Sequence, residues 1–117
     1  MVVDLQLTDD EVDRLFHALA DATRRDILRR VLAGPELSVS ALAREYPISV
    51  TAVQKHVGVL AEAGLVTKRR QGREQRITGR AEAIERARRL LDAYEDIWRG
   101  RADRMAALLD DDEGDLR

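Results

Sequence analysis

Apolar residues recur at three- and four-residue intervals along most of this chain, which is the spacing of amphipathic helices. Thr8 followed by Glu11 forms a capping box, so the pattern predicts that a first helix begins at Asp9. One face of this helix is apolar and must pack against another surface. It carries Val12, Leu15, Phe16 and Leu19.

Two more helices are delimited by capping and helix-breaking residues. Asp21 caps a predicted helix over "ATRRDILRRVL", which Gly34 ends. Ser38 caps a shorter one, which we expect to end at Tyr46 because Pro47 disfavours helical geometry in the residue before it.

Ser49 caps a fourth predicted helix over residues 50–63, which ends at Gly64. Val53, Val57 and Leu60 repeat on one side of it and are expected to be buried. The third and fourth helices are joined across "YPIS", an order that predicts a helix-turn-helix.

The hydrophobic period then changes from that of a helix to that of a strand. "LVTKRR" and "EQRIT" flank "QGR", which predicts a β-hairpin over residues 66–78 with Gly72 in its turn. From Arg80 a helical pattern continues to about Leu109. It carries an apolar stripe close to a heptad repeat, made of Ile84, Ala87, Leu91, Tyr94, Trp98 and Met105.

The predicted fold class is therefore mainly α with a small β-hairpin. Because the hairpin follows the helix-turn-helix where a wing would lie, we expect a winged helix-turn-helix. With no internal repeat or linker, one domain is expected over residues 1–110, and the acidic segment 111–117 is expected to be a disordered tail.

Composition restricts the classes of function. The chain has one Phe, one Trp and two Tyr, so its core must be aliphatic. It has no cysteine, which excludes disulfides, thiolate metal sites and cysteine nucleophiles. The start lacks the features of a signal peptide, and no apolar run approaches the roughly 20 residues of a membrane helix, so we expect a soluble, cytoplasmic protein without membrane contact.

Charge is distributed unevenly around a net value of −2. Residues 24–80 hold twelve Lys or Arg against five acids, a net charge of +7. Residues 1–23 carry −5 and residues 81–117 carry −4. A basic centre between acidic ends predicts contact with phosphate while limiting indiscriminate binding.

The fourth helix has a polar outer face without acids, as a helix that enters the major groove requires. On this face Gln54 can bond adenine, and Lys55 can reach guanine or a phosphate. Thr51 and Ala52 can contact a thymine methyl group. Gly58 has no side chain and so adds no group to this face. The alternative is an ordinary solvated helix face, but the preceding turn and the basic hairpin favour DNA recognition.

The hairpin concentrates five basic side chains in nine residues, opposed only by Glu74. Such a wing contacts the DNA backbone and can place an arginine in the minor groove. The alternative is a charged hairpin that only aids solubility. We predict DNA contacts from Lys68, Arg69, Arg70, Arg73 and Arg76.

Catalysis and metal binding lack a basis in this sequence. There is no nucleophile–base pair, phosphate-binding loop or ligand cluster, so we expect neither an enzyme nor a cofactor. His56 lies at the margin of the fourth helix without a nearby acid, and we expect it to bond a backbone carbonyl or a phosphate. Asp92 and Glu95 lie three or four residues from arginines, which favours helix-surface ion pairs.

Together these motifs resemble the ArsR/SmtB-type winged helix-turn-helix transcriptional regulators over residues 15–78. "FHALADATRRDILRRVL" is similar to the opening signature of that family. "LSVSALAREYPISVTAVQKHVGVLAEAGLV" resembles its paired helices, and "KRRQGREQRI" resembles its wing.

The resemblance implies a homodimeric repressor that binds a palindromic operator with half-sites about one DNA turn apart. By this resemblance Ser49 caps the recognition helix, Gly72 marks the wing turn, and Thr51, Ala52, Gln54, Lys55 and His56 fall on the DNA-reading stretch. The first and last helices would form the dimer, and the residues expected there are Val12, Leu15, Phe16, Leu91, Tyr94, Trp98 and Met105.

The chain departs from the family at its metal-sensing sites. Those sites use cysteines before the turn or Asp/His pairs on the last helix. Here "SVSALAREY" has no cysteine and the last helix has no histidine, so we expect no metal sensing and an effector of unknown identity. The alternative function is a protein-binding module that docks a partner on the apolar stripe of the last helix.

Overall fold

The computed structural model describes residues 7–115, with side chains described over 7–110. The fold is mainly helical with a small antiparallel sheet, which confirms the predicted class. The elements in chain order are α1 (Asp9–Leu19), α2 (Ala22–Ala33), β1 (Leu37–Ser38), α3 (Val39–Ala43), α4 (Val50–Glu62), β2 (Val66–Gln71), β3 (Glu74–Gly79) and α5 (Glu82–Asp115).

The predicted N-caps are confirmed for the first four helices. In each of them the capping side chain accepts a hydrogen bond from a backbone N–H in the first turn, which satisfies a donor that the helix itself leaves free. The capping residues are Thr8 for α1, Asp21 for α2, Ser38 for α3 and Ser49 for α4.

Helix α3 ends earlier than the sequence predicts. Its last α-helical residue is Ala43 rather than Tyr46. The backbone N–H of Glu45 donates to the carbonyl of Leu42 at 3.0 Å, and that of Tyr46 donates to Ala43 at 3.3 Å. These bonds span three residues instead of four, so the chain tightens into turns before it reaches Pro47.

The sheet has one strand more than the predicted hairpin. Strands β2 and β3 form the hairpin, and β1 pairs antiparallel with the other edge of β3, which gives the order β1-β3-β2. Leu37 lies opposite Ile77 in this pairing. The sequence missed β1 because two residues are too few to show an alternating pattern.

The core lies between the helices and one face of the sheet and is aliphatic, as composition requires. The three residues predicted on the inner side of α4 are fully buried; they are Val53, Val57 and Leu60. Packing between α2 and the sheet is close: a Cβ placed on Gly79 would lie 2.7 Å from Leu32 Cδ2. A larger residue at that point of β3 would therefore force the Leu32 side chain to move.

Helix α5 extends away from this core. Ala87 and Leu90 are its last buried residues, and the positions beyond Gly100 are exposed as far as their side chains are described. The helix continues to Asp115, past the predicted end near Leu109, and residues 116–117 lie outside the described part. The domain boundary at residue 110 and the disorder of the tail 111–117 stay predictions.

Candidate nucleic-acid interface

The outer face of α4 is polar and open to solvent, and it carries no acid before the last residue of the helix. Thr51, Gln54 and Lys55 are exposed and form no side-chain hydrogen bond or ion pair within the described residues. A Cβ at Gly58 would meet nothing within 4 Å, so this part of the face is also free. Its only acid is Glu62, at the last position of the helix. The side chains predicted to read DNA therefore share an accessible surface, with half-buried Ala52 at its edge.

His56 lies at the margin of α4, as the sequence predicts, but its partner within the chain is a side chain. It is half-buried, and its Nδ1 lies 3.4 Å from Nη1 of Arg24 on α2. The expected partner was a backbone carbonyl or a phosphate. The ring instead sits where α4 packs against the start of α2, so its direct partner in the structure is a protein side chain.

Arg24 makes contacts with α1 and α4 that the sequence did not predict. Its side chain is 12% exposed. Its Nε donates to the carbonyl of Ala18 at 2.9 Å, and Nη2 donates to that of His17 at 2.9 Å. These carbonyls belong to the last turn of α1, where carbonyls lack the usual partner four residues on, although that of His17 also accepts from the backbone N–H of Ala20 at 3.2 Å. One guanidinium therefore joins the end of α1 to α2 and to α4.

The hairpin of β2 and β3, which we call the wing, is held by six residue pairs from Val66↔Gly79 to Gln71↔Glu74. Gly72 takes φ +63° in the turn, a value that glycine adopts without strain. The predicted hairpin and its turn residue are thus confirmed. The wing residues predicted to touch DNA are brought together, but they are divided between its two faces.

Lys68 and Arg70 lie on the inner face of the wing, defined as the face that carries the buried residues Val66 and Ile77. Side chains alternate along a strand, so every second residue of β2 belongs to this face. Arg73 lies in the turn. All three cations are exposed, and none has an acidic partner within the described residues.

The outer face of the wing carries Arg69 and Arg76, which lie directly opposite each other in the β2–β3 pairing. Both meet Glu36, which precedes β1. Arg69 Nη2 donates to Glu36 Oε1 at 2.8 Å, and Arg76 Nε lies 3.9 Å from the same oxygen. Thr78 Oγ1 donates to Glu36 Oε2 at 3.2 Å. The bond from Arg69 is the main reason that the pKa of Glu36 lies below its usual value.

The turn between α3 and α4 is tied to α2 by a contact between Tyr46 and Asp26. The Tyr46 hydroxyl donates to Asp26 Oδ2 at 2.5 Å, and Arg30 stacks over the Tyr46 ring at 5.4 Å from its centre. Hydrogen bonds from Tyr46, Arg29 and Arg30 hold the pKa of Asp26 well below its usual range. Desolvation, aided by the bond to Asp26, raises the pKa of Tyr46 to about 12.

The apolar stripe of α5 is exposed in the single chain. Leu91, Tyr94, Trp98 and Met105 are each more than half exposed, and Phe16 on α1 is 40% exposed. Leu15 differs from the other residues predicted at the dimer interface, because it is 2% exposed and belongs to the core of its own chain. Val12 is half-buried.

The acids of α5 form ion pairs along the helix surface, as predicted. Arg99 pairs with Glu95 at 2.9 Å, and Arg88 lies 3.8 Å from Asp92. The described part of the chain contains no group of three or more residues arranged to hold a metal ion. None of its helices combines the length and apolar character that crossing a bilayer requires.

Comparisons with known proteins connect this geometry to a family. A family model described as a helix-turn-helix domain matches residues 19–69. The HTH-type transcriptional regulator Rv2034 of Mycobacterium tuberculosis is 50% identical over 60 residues, which are 51% of this chain and 55% of that protein. The chain thus aligns with only about half the length of this relative.

Solved structures extend the likeness over most of the fold. An ArsR-like transcriptional regulator from Rhodococcus sp. RHA1 superposes with a TM-score of 0.78 at 30% identity, covering 86% of this chain and 92% of that one. A homodimeric winged helix-turn-helix DNA-binding domain from Mycobacterium bovis, Mb0332, gives a TM-score of 0.59 at 28% identity, covering 82% and 91%. The chain belongs to the ArsR family of winged helix-turn-helix transcriptional regulators.

Proposed function

We propose that this transcriptional regulator is a homodimeric repressor that binds a palindromic operator through α4 and the wing, without sensing metal. The observation that carries the proposal is the exposed outer surface of α4, which has no acid before Glu62 at its last position, beside three cations of the wing that have no acidic partner in the described structure. Such a surface can approach phosphates without repulsion and offers donors to the edges of bases.

In this proposal the N-terminal half of α4 enters the major groove. Gln54 is placed to bond an adenine through its amide, and Lys55 to reach a guanine or a phosphate. Thr51 and Ala52 supply apolar contact for a thymine methyl group. Lys68, Arg70 and Arg73 contact the sugar-phosphate backbone, which fixes the position of the protein on the duplex but carries little sequence information.

A second copy of the chain would cover the apolar stripe of α5 and Phe16. Exposed apolar side chains in a row are costly in water, and a symmetric pair of chains buries both rows at once. The M. bovis neighbour is described as homodimeric. Two recognition helices related by a two-fold axis call for a palindromic operator with half-sites about one DNA turn apart.

The absence of metal sensing is proposed from the residue types available. The chain has no cysteine, and α5 carries no histidine, so neither of the family's known kinds of sensing site has its ligands. Repression follows if the bound dimer occludes a promoter. A regulator that acts on DNA in this way works in the cytoplasm.

The test begins by selecting genomic fragments that bind the purified protein, which yields an operator duplex. Gln54→Ala combined with Lys55→Ala should then weaken operator binding at least tenfold in a gel shift, because each lost base contact of the bidentate kind costs about 1–3 kcal/mol. Binding to a random duplex should change much less. Arg89→Ala, on the exposed surface of α5, serves as the control and should bind like wild type.

Unchanged operator affinity in the double variant would show that α4 does not read the sequence. The second candidate function, a protein-binding module, is favoured by the exposed stripe of α5 alone. Replacing Lys68, Arg70 and Arg73 with glutamine discriminates between the two. A DNA-binding protein loses affinity and salt dependence, whereas a protein-binding module has no salt-dependent DNA binding to lose.

A further inference from the structure

Glu36 lies at the centre of a charge cluster on the outer face of the wing. Arg69 and Arg76 oppose each other across the β2–β3 ladder, an arrangement in which like charges repel. Glu36 offsets this repulsion, since one of its oxygens is 2.8 Å from Arg69 and 3.9 Å from Arg76. Its other oxygen accepts from Thr78. The carboxylate is thus held in place from both strands of the hairpin.

Arg76 is less exposed than Arg69 and has a second acid nearby. Its side chain is 33% exposed, and its Nε is buried without a hydrogen bond among the described residues. Its Nη2 lies 3.4 Å from Glu74. The side chain of Arg69 is 60% exposed and is fixed by Glu36 alone among the described acids. Arg69 is therefore the cation that loss of Glu36 would release.

The two faces of the wing differ in charge as a result. On the outer face the two arginines are balanced by Glu36 and Glu74. On the inner face and in the turn, Lys68, Arg70 and Arg73 have no acidic partner in the described structure. The wing therefore presents three available positive charges, although its sequence contains five.

We propose that Glu36 is a specificity-determining residue, which keeps Arg69 from phosphates and so limits the affinity of the wing for DNA of any sequence. The inference rests on the proposed function, because it presumes that the wing meets DNA. Contacts with phosphate add affinity for every duplex, whereas contacts from α4 favour the operator. Removing one phosphate contact per subunit therefore raises the ratio of operator affinity to random-DNA affinity.

Glu36→Gln tests this directly, because it keeps the size of the side chain and removes its charge. The affinity for a random 30-base-pair duplex is measured as a function of salt. Each added phosphate contact steepens the slope of log affinity against log salt by about 0.9. With one contact added per subunit, the variant dimer should lose about tenfold more affinity than wild type between 50 and 200 mM salt. Its preference for the operator duplex should fall.

Two controls separate the release of Arg69 from other effects. Glu36→Gln with Arg69→Gln should restore the wild-type slope, since the released cation is gone. Glu85→Gln removes an equal charge from an exposed position on α5 and should leave the slope unchanged. Far-ultraviolet circular dichroism and the unfolding midpoint establish that each variant is folded.

An unchanged slope in folded Glu36→Gln, or a steeper slope that persists in the double variant, would overturn the proposal. A lower affinity for all DNA would also overturn it, because Glu36 would then support the contact instead of restraining it. If the wild-type protein bound no DNA, the proposed function itself would fail. Specific wild-type binding with no effect of Glu36→Gln would refute only the role of Glu36.

Discussion

Arg24 and Arg25 are adjacent and chemically identical, yet the fold gives them different surroundings. Arg24 has a side chain that is 12% exposed, binds two carbonyls at the end of α1 and faces His56. Arg25 is exposed and donates one bond, to the carbonyl of Leu19 at 2.7 Å. Buried, charge-assisted bonds contribute more to stability than exposed ones, because water competes less for the same groups.

Arg24→Gln should therefore lower the free energy of unfolding by about 2 kcal/mol, within the range of a lost hydrogen bond to a charged group. Arg25→Gln is the matched control and should cost less than about 1 kcal/mol. Urea unfolding followed by circular dichroism, at one fixed protein concentration, measures both. Equal losses in the two variants would show that Arg24 does not join the helices in the way its contacts indicate.

At the scale of elements, the turn between α3 and α4 is held against α2 by the bond from Tyr46 to Asp26. Asp26 has a pKa below its usual value of 3.8 in the folded protein, with the Tyr46 bond as the first cause. A lowered pKa means that the folded state favours the ionised carboxylate. This contribution is complete above the unfolded pKa near 3.8 and is lost as the pH falls below it.

The pKa of Tyr46 is shifted in the opposite direction. Its pKa is raised from 10.0 to about 12, so the folded state favours the protonated phenol. The stability that this provides is complete below pH 10 and is lost as the pH rises toward 12. The acceptor and the donor of this hydrogen bond therefore predict a loss of stability at acidic pH and another at alkaline pH.

Tyr46→Phe should reduce the pH dependence at both extremes. The urea midpoint of the variant should fall less than that of wild type between pH 4 and pH 2, because Asp26 loses the main cause of its lowered pKa. Between pH 10 and pH 12 the contribution of this phenol should vanish. Tyr94→Phe, at an exposed position on α5, is the control. Parallel pH profiles for Tyr46→Phe and wild type would contradict the assignment.

For the wing, the sequence predicts which cations share a face but not which acids they contact. Alternation along β2 places residues 68 and 70 on one face and residue 69 on the other, and this can be deduced from the strand period alone. The five cations predicted to touch DNA are therefore divided between two faces and do not form one set. The partner of Arg69 could not be predicted from the sequence, because Glu36 lies 33 residues away and reaches the wing only after β1 pairs with β3.

At the scale of the whole molecule, α5 leaves the core and exposes its apolar stripe. Trp98 is 64% exposed and Leu91 is 53% exposed. Leu91→Ala and Trp98→Ala should each raise the dissociation constant of the proposed dimer by tenfold or more, since losing a large apolar contact at an interface costs at least about 1.5 kcal/mol. Analytical ultracentrifugation over a range of concentrations measures the effect.

The matched control for these variants is Asp96→Ala, which lies on the same helix about half a turn from Trp98 and away from the stripe. It should leave self-association unchanged. A wild-type protein that sediments as a monomer at micromolar concentration would contradict the homodimer. Leu15 is unsuitable for this test, because it is buried in the core of its own chain and its replacement would destabilise that core as well.

The sequence by itself determined the helices, their caps, the hairpin and the buried side of α4, because capping, breaking and periodicity are local properties. It also identified the surface on which Gln54 and Lys55 lie. Tertiary structure alone decided the third strand, the position of Leu15 and the contacts of Arg24, His56 and Glu36. Each of these depends on which distant segments meet, and local sequence does not encode which acid reaches a given arginine.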